Sequence, residues 1–109
     1  MDKREVEALK EMFKEEDLGL ADYVIFTRWA IIHLIMDTKG DHVVITPRKI
    51  VKRVFGKEHV RPHVYSMIGH ALRRLYERGE IELWRGGLYR KYMVRKGSPL
   101  WRRAKRMRR

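Results

Sequence analysis

The 109-residue chain, 44% hydrophobic, can fill one core but not two, which excludes a catalytic cleft between large domains. Its formal net charge of +12 attracts polyanions, whether nucleic acid, an anionic membrane or an acidic protein. No apolar run approaches the roughly 20 residues of a membrane span, the opening MDKREVEALK has no signal-peptide core, and the absence of Cys removes disulfides and thiolate zinc sites.

A cytoplasmic protein with no membrane contact, no metal and no cofactor is therefore expected. The sequence also lacks Asn and Gln while 37% of it is charged, a balance that resembles proteins of hyperthermophiles, so a source in a hot-environment archaeon or one of its viruses is expected. Charge is segregated. Residues 1–17 carry four basic and seven acidic side chains (−3), leaving 22 basic and seven acidic (+15) for the rest. The partner-seeking surface should lie downstream of the first helix.

In chain order, Asp2 to about Glu16 is predicted to be an amphipathic helix with Val6, Leu9, Met12 and Phe13 on one stripe. Residues 17–21 form a joint containing Gly19. Asp22 is expected to cap a second helix from Tyr23 to about Asp37, whose apolar residues surround the cylinder and so need cover on both sides, from the first helix or from a second copy of the chain. A turn at Lys39-Gly40-Asp41 leads to a short strand, Val43 to Ile45. Thr46 as N-cap and Pro47 as the first helical residue start a third helix, which Gly56 ends. A fourth helix, Pro62 to Arg78, separates Val64, Ile68, Ala71, Leu72 and Leu75 from Ser66, His70, Arg73 and Glu77 on its opposite side. Gly79 stops it.

Residues 81–94 then alternate apolar and charged side chains around Gly86-Gly87, a pair suited to a two-residue hairpin turn. With that turn, Trp84 would face Tyr89, Glu82 would face Lys91 and Ile81 would face Tyr92. Ile81, Leu83 and Tyr92 would cover the core, with Arg85 and Arg90 near the tip. From Arg95 onward eight Lys or Arg occur with no acid, a run expected to stay flexible until it meets an anion.

The fold class expected is mainly α with a small β-hairpin, in three parts: a helix and joint at 1–21, a domain at 22–94 and a basic tail at 95–109. The segments "ITPRKIVKRVF", "VRPHVYSMIGHALRRLYERGEIEL" and "WRGGLYRKYMV" resemble the positioning helix, recognition helix and wing of the winged helix-turn-helix family, in its archaeal form. The resemblance covers Asp22 to Val94 and implies a regulator of transcription, nucleoid-associated, that binds double-stranded DNA.

An α-helix fits the major groove, so Arg61, His63, Ser66, His70 and Arg73 are candidates for base edges. Arg48, Lys49, Lys52 and Arg53 on the third helix, Arg85, Arg90 and Lys91 on the wing, and Arg102, Arg103, Lys105 and Arg106 on the tail are candidates for phosphates. Trp84 and Tyr89 can stack on unpaired bases or hold the hairpin together. Gly69 costs roughly 1 kcal/mol relative to Ala inside a helix, a cost explained by close approach of a phosphate backbone, by a helix-crossing contact or by simple tolerance. Other readings of the charge are RNA, architectural binding with little sequence preference, and an acidic protein partner. A homodimer joined through helices 2–16 and 23–37 would match a twofold DNA site. The acidic first helix could also pair with the basic tail and inhibit binding.

An enzyme is not expected. Ser66, His70 and Glu77 share a helix face, but a convex face supplies neither a pocket nor an oxyanion hole. His59 and His63 are four apart with no further ligand evident, and His33 reads as a hydrogen-bonded core residue. The hyperthermophile composition makes one physical prediction. Thermal unfolding should occur well above the mesophilic range of about 45–65 °C; calorimetry showing a midpoint inside that range would remove the inference.

Overall fold

The central helix α1, Leu20–Asp37, starts where Gly19 provides an extended N-cap. Asp22, at the third helical position, accepts the Gly19 N–H at 3.1 Å, so it acts from inside the first turn and not as the cap expected from the sequence. The helix consequently begins three residues before Tyr23. The computed structural model describes residues 4, 19–56, 60–86 and 90–107. Apart from Arg4, the helix expected at 2–16 lies outside these residues.

The described chain is a mainly helical α+β fold with four helices and a three-stranded antiparallel sheet. After α1 come β1 (His42–Ile45), α2 (Pro47–Phe55), α3 (Pro62–Glu77), β2 (Glu82–Arg85), β3 (Lys91–Arg95) and α4 (Pro99–Met107). All three prolines of the chain open helices, where a missing N–H has no intrahelical partner to lose. Thr46 caps α2 by accepting the Lys49 N–H at 3.2 Å, and Gly56 ends it in the left-handed conformation, φ 72°, as expected. α3 closes with the Gly79 N–H on the Tyr76 carbonyl and the Glu80 N–H on the Leu75 carbonyl, with Gly79 at φ 77°. That double bond is the Schellman arrangement, and it turns the chain into β2.

α1 is covered over most of its circumference, with Ile25 left 50% exposed. Phe26, Ala30, Ile31 and Ile35 are fully buried, and α2, α3, β1 and α4 all pack against the helix. α4 corrects the expectation of a flexible tail. Ser98 Oγ accepts the Trp101 N–H at 3.3 Å, and Leu100, Trp101 and Ala104, spaced for one helical stripe, are buried against α1. Lys105 Nζ donates to the Ile35 and Thr38 carbonyls, each at 3.3 Å, neutralising the negative end of α1. The cover assigned to the first helix or a second copy is thus supplied, in part, by α4.

The sheet also differs from an isolated hairpin. β3 lies between β1 and β2, pairing Ile45 with Tyr92 and Val43 with Val94 on one side. On the other side Leu83 faces Tyr92 and Glu82 faces Met93, two residues away from the expected register, with an irregularity before Arg85 meets Lys91. A shift of two keeps Glu82 and Leu83 on their predicted faces, whereas the irregularity carries Arg85 to the face of Lys91. Ile81 and Tyr92 are accordingly buried, although Leu83 remains 38% exposed. The turn expected at Gly86-Gly87 falls on residues 86–89, of which 87–89 lie outside the described residues. Pairing with β1 constrains β3 independently of that turn. Glu82 bonds Arg95 at 3.1 Å in place of Lys91.

One polar contact fixes the end of α3 to α1: Arg28 Nε and Nη2 each donate to the Glu80 carboxylate at 2.8 Å. This fork holds the Arg28 guanidinium charged and raises its pKa further, against the opposing effect of burial. Because α4 is core and not tail, Trp101→Ala should destabilise the protein by about 3 kcal/mol or more. Denaturant unfolding tests this; a variant with an unchanged midpoint would return residues 99–107 to the status of an appendage.

Candidate functional site

The polar side of α3 is set by its apolar side. Ile68, Ala71, Leu72 and Leu75 are fully buried, so the residues between them on the helical wheel must face outward. Ser66 and Arg73 are exposed and Gly69 is half-buried, the spacing of one helix face. α2 packs beside α3, and its first turn brings Arg48 and Lys49 alongside, followed by Lys52. The start of β3 adds Arg90 and Lys91 from the third side.

These elements enclose a groove of about 1170 Å³. Its walls hold six cations, Arg48, Lys49, Lys52, Arg73, Arg90 and Lys91, and no carboxylate among the described residues. Thr46, Pro47, Tyr65, Ser66, Gly69, Leu72 and Tyr92 complete the lining. Tyr92 meets Tyr76 at 5.9 Å between ring centres, packing β3 against the end of α3. Cations on three sides of one concavity reinforce each other's potential, so the groove attracts anions more strongly than the same charges would when dispersed.

Two groove cations have local partners. Arg73 Nε donates to Glu77 Oε1 at 3.1 Å, and Lys49 Nζ to the Val44 carbonyl at 3.0 Å. Both contacts are exposed and exchangeable for a stronger anionic acceptor. Glu77 is thereby an ion-pair partner of Arg73, while Ser66 lines the groove and His70, though exposed, does not.

The remaining expected site residues lie elsewhere. Arg61 and His63 are exposed at the start of α3, outside the groove lining. The His63 ring stands edge-on to Tyr23 at 6.5 Å. Burial raises the Tyr23 hydroxyl's pKa, and the nearby Arg61 charge partly offsets this. Arg53 is half-buried and bonds Asp37, which ties α2 to the end of α1. Arg102 Nε donates to the Gly97 carbonyl at 2.8 Å, and Arg103 lies 6.0 Å from the Trp29 ring centre. With Lys105 on the end of α1, three of the four phosphate candidates expected in the tail make contacts within the fold, and Arg106 is exposed. Arg85 and Trp84 are exposed on β2, while Tyr89 lies outside the described residues.

His33, only 5% exposed, stacks on Trp29 at 5.6 Å between ring centres and belongs to the core. Among the described residues no group of three or more His, Asp or Glu is placed to hold a metal, and His59 is not among them. No described helix is long and apolar enough to cross a membrane. No protein-family model, curated protein or solved structure matches this chain.

The lining includes residues that charge alone did not nominate. Tyr65 and Leu72 share the groove because they flank Ser66, Gly69 and Arg73 at helical spacing, a signal available in the sequence. For Gly69, a Cβ added there meets nothing within 4 Å among the described residues, which removes the helix-crossing explanation. In the absence of ligand Gly69→Ala should therefore raise stability by about 0.5–1 kcal/mol. A fall in its denaturation midpoint would mean that the position is confined by part of the fold.

Proposed function

We propose that this is a winged helix-turn-helix protein that binds duplex DNA, cytoplasmic and nucleoid-associated, acting as a regulator of transcription. The convergence of six cations from α2, α3 and the start of β3 in one groove, with no carboxylate among the described residues lining it, carries this reading. The element order and the β1–β3–β2 sheet behind α3 support it further.

In this arrangement α3 enters the major groove, whose width of about 12 Å admits a helix. Arg73 is the base-reading side chain best suited to guanine, because its guanidinium has donors beyond the one that Glu77 accepts. Ser66 lies on the same face. Gly69 lets the DNA approach the α3 backbone closely. Arg48, Lys49 and Lys52 hold one stretch of phosphates, and the positive end of the α2 dipole lies beside them. Arg90 and Lys91 hold the flanking stretch. The chain has no Asn or Gln for the bidentate adenine pairing, so sequence preference would rest on guanine, hydroxyl contacts and duplex shape.

A twofold pairing along α1 draws little support from the described residues, where Ile25 is that helix's one large exposed apolar side chain. Pairing would rest mainly on residues 2–16. The low-specificity reading is weaker with α4 folded, since a tethered cationic arm was its main support.

Binding to a duplex should lose about a thousandfold between roughly 50 and 200 mM salt if some six phosphates are neutralised. Lys49→Glu with Lys52→Glu should weaken it at all sequences, whereas Arg73→Ala should relax the preference selected from random duplexes. Gly69→Ala should weaken binding despite its added stability. Affinity flat with salt, or no retention of nucleic acid at physiological salt, would overturn the proposal and leave an acidic protein as the partner.

A further inference from the structure

The outer face of the sheet, turned away from α1, carries a second and chemically different feature. Trp84, on the edge strand β2, is 50% exposed. The Arg85 guanidinium carbon lies 5.7 Å and Lys91 Nζ 6.0 Å from its ring centre. Beside the indole a hollow of about 470 Å³ is bounded by Met93, Asp41, His42, Arg95 and Lys96. An exposed aromatic face, a thioether floor and flanking cations match a nucleobase with its phosphates, because every base has a stacking face and each linkage an anionic oxygen. Lys91 connects the two surfaces: it lines the α2–α3 groove and also reaches the Trp84 ring.

We propose that Trp84 and the hollow beside it form a stacking site for an unpaired nucleotide on a strand that leaves the duplex held in the groove, as at an overhang or an opened end. The inference rests on the duplex-binding reading but uses residues that reading does not need. Trp84 stacks the base, and Lys96 holds the adjoining phosphates together with Arg95, whose exposed pair with Glu82 is exchangeable for a phosphate. Asp41, already bonded to His42 at 2.8 Å, offers a carboxylate oxygen to base amino groups. An acidic peptide, the other anionic occupant, would find the cations but would not need the exposed indole.

The test compares a blunt duplex with the same duplex bearing a single-stranded thymidine overhang of about six nucleotides, a length within the span of one stacking groove. Of the three tryptophans, Trp101 is buried and Trp29 half-buried, so stacking should quench mainly Trp84 emission. The overhang should quench emission and bind about tenfold more tightly than the blunt duplex. Trp84→Ala should abolish that advantage while leaving blunt-duplex affinity unchanged, and Trp84→Tyr should largely restore it. Equal affinity for the two DNAs in the wild type, or an overhang advantage that survives Trp84→Ala, would overturn the inference while leaving the duplex reading intact. Loss of blunt-duplex binding in Trp84→Ala without rescue by Trp84→Tyr would also overturn it, by making the indole a support for the wing. Failure of the wild type to bind either DNA would instead defeat the duplex reading itself.

Discussion

The fold depends on how α3 is divided. Ile68, Ala71, Leu72 and Leu75 are sealed against α1 and its neighbours, and the helix cannot rotate about its axis without bringing Arg73 or Ser66 into the core. Burying those four side chains is worth several kcal/mol in total at about 25 cal/mol per Å² of apolar surface. The same burial that stabilises the protein therefore aims its polar face. The Schellman end at Gly79 and the Arg28–Glu80 fork then fix where the chain leaves α3, and so where β2 and β3 can return beside it. Stability and the placement of the candidate site rest on one set of contacts.

Local chemistry made much of this legible in advance. The Thr46-Pro47 start, the Gly56 and Gly79 stops and the apolar stripe of α3 each follow from a short-range rule, and each is found where the sequence put it. Part of what was misread depended on partners distant in the chain. The register of β3 is constrained by β1, some 50 residues earlier, as well as by the glycines beside it. Asp22 proved to be an internal support of the first turn because Gly19 could serve as the N-cap.

α4 teaches a different lesson. Residues 95–109 hold eight cations and no acid, and charge density of that kind argues for solvation. Yet Ser98-Pro99 is a helix start, and Leu100, Trp101 and Ala104 form a compact stripe on the helix it opens. A few buried contacts decide the outcome, because long cationic side chains can keep their heads in water while the helix beneath them packs. The site was legible to a similar degree. Ser66 and Arg73 were visible from periodicity, whereas the closure of the groove by Arg90 and Lys91 needed the strand pairing.

Folding also sorts the charge. Composition counts 26 cations against 14 acids as one sum, but Arg28, Arg53 and Arg95 have intramolecular carboxylate partners, and Arg102 and Lys105 bond backbone carbonyls. Those five contribute to the field at long range while having local work to do. Six others, of which Arg73 and Lys49 also have exposed local partners, meet in the α2–α3 groove, where the potential is concentrated by shape as well as by number. A net charge of +12 can thus attract an anion from any direction, and the groove supplies six convergent cations at the end of the approach. Long-range attraction is a property of the whole surface, whereas close convergence of cations is a property of α3 and the residues on either side of it.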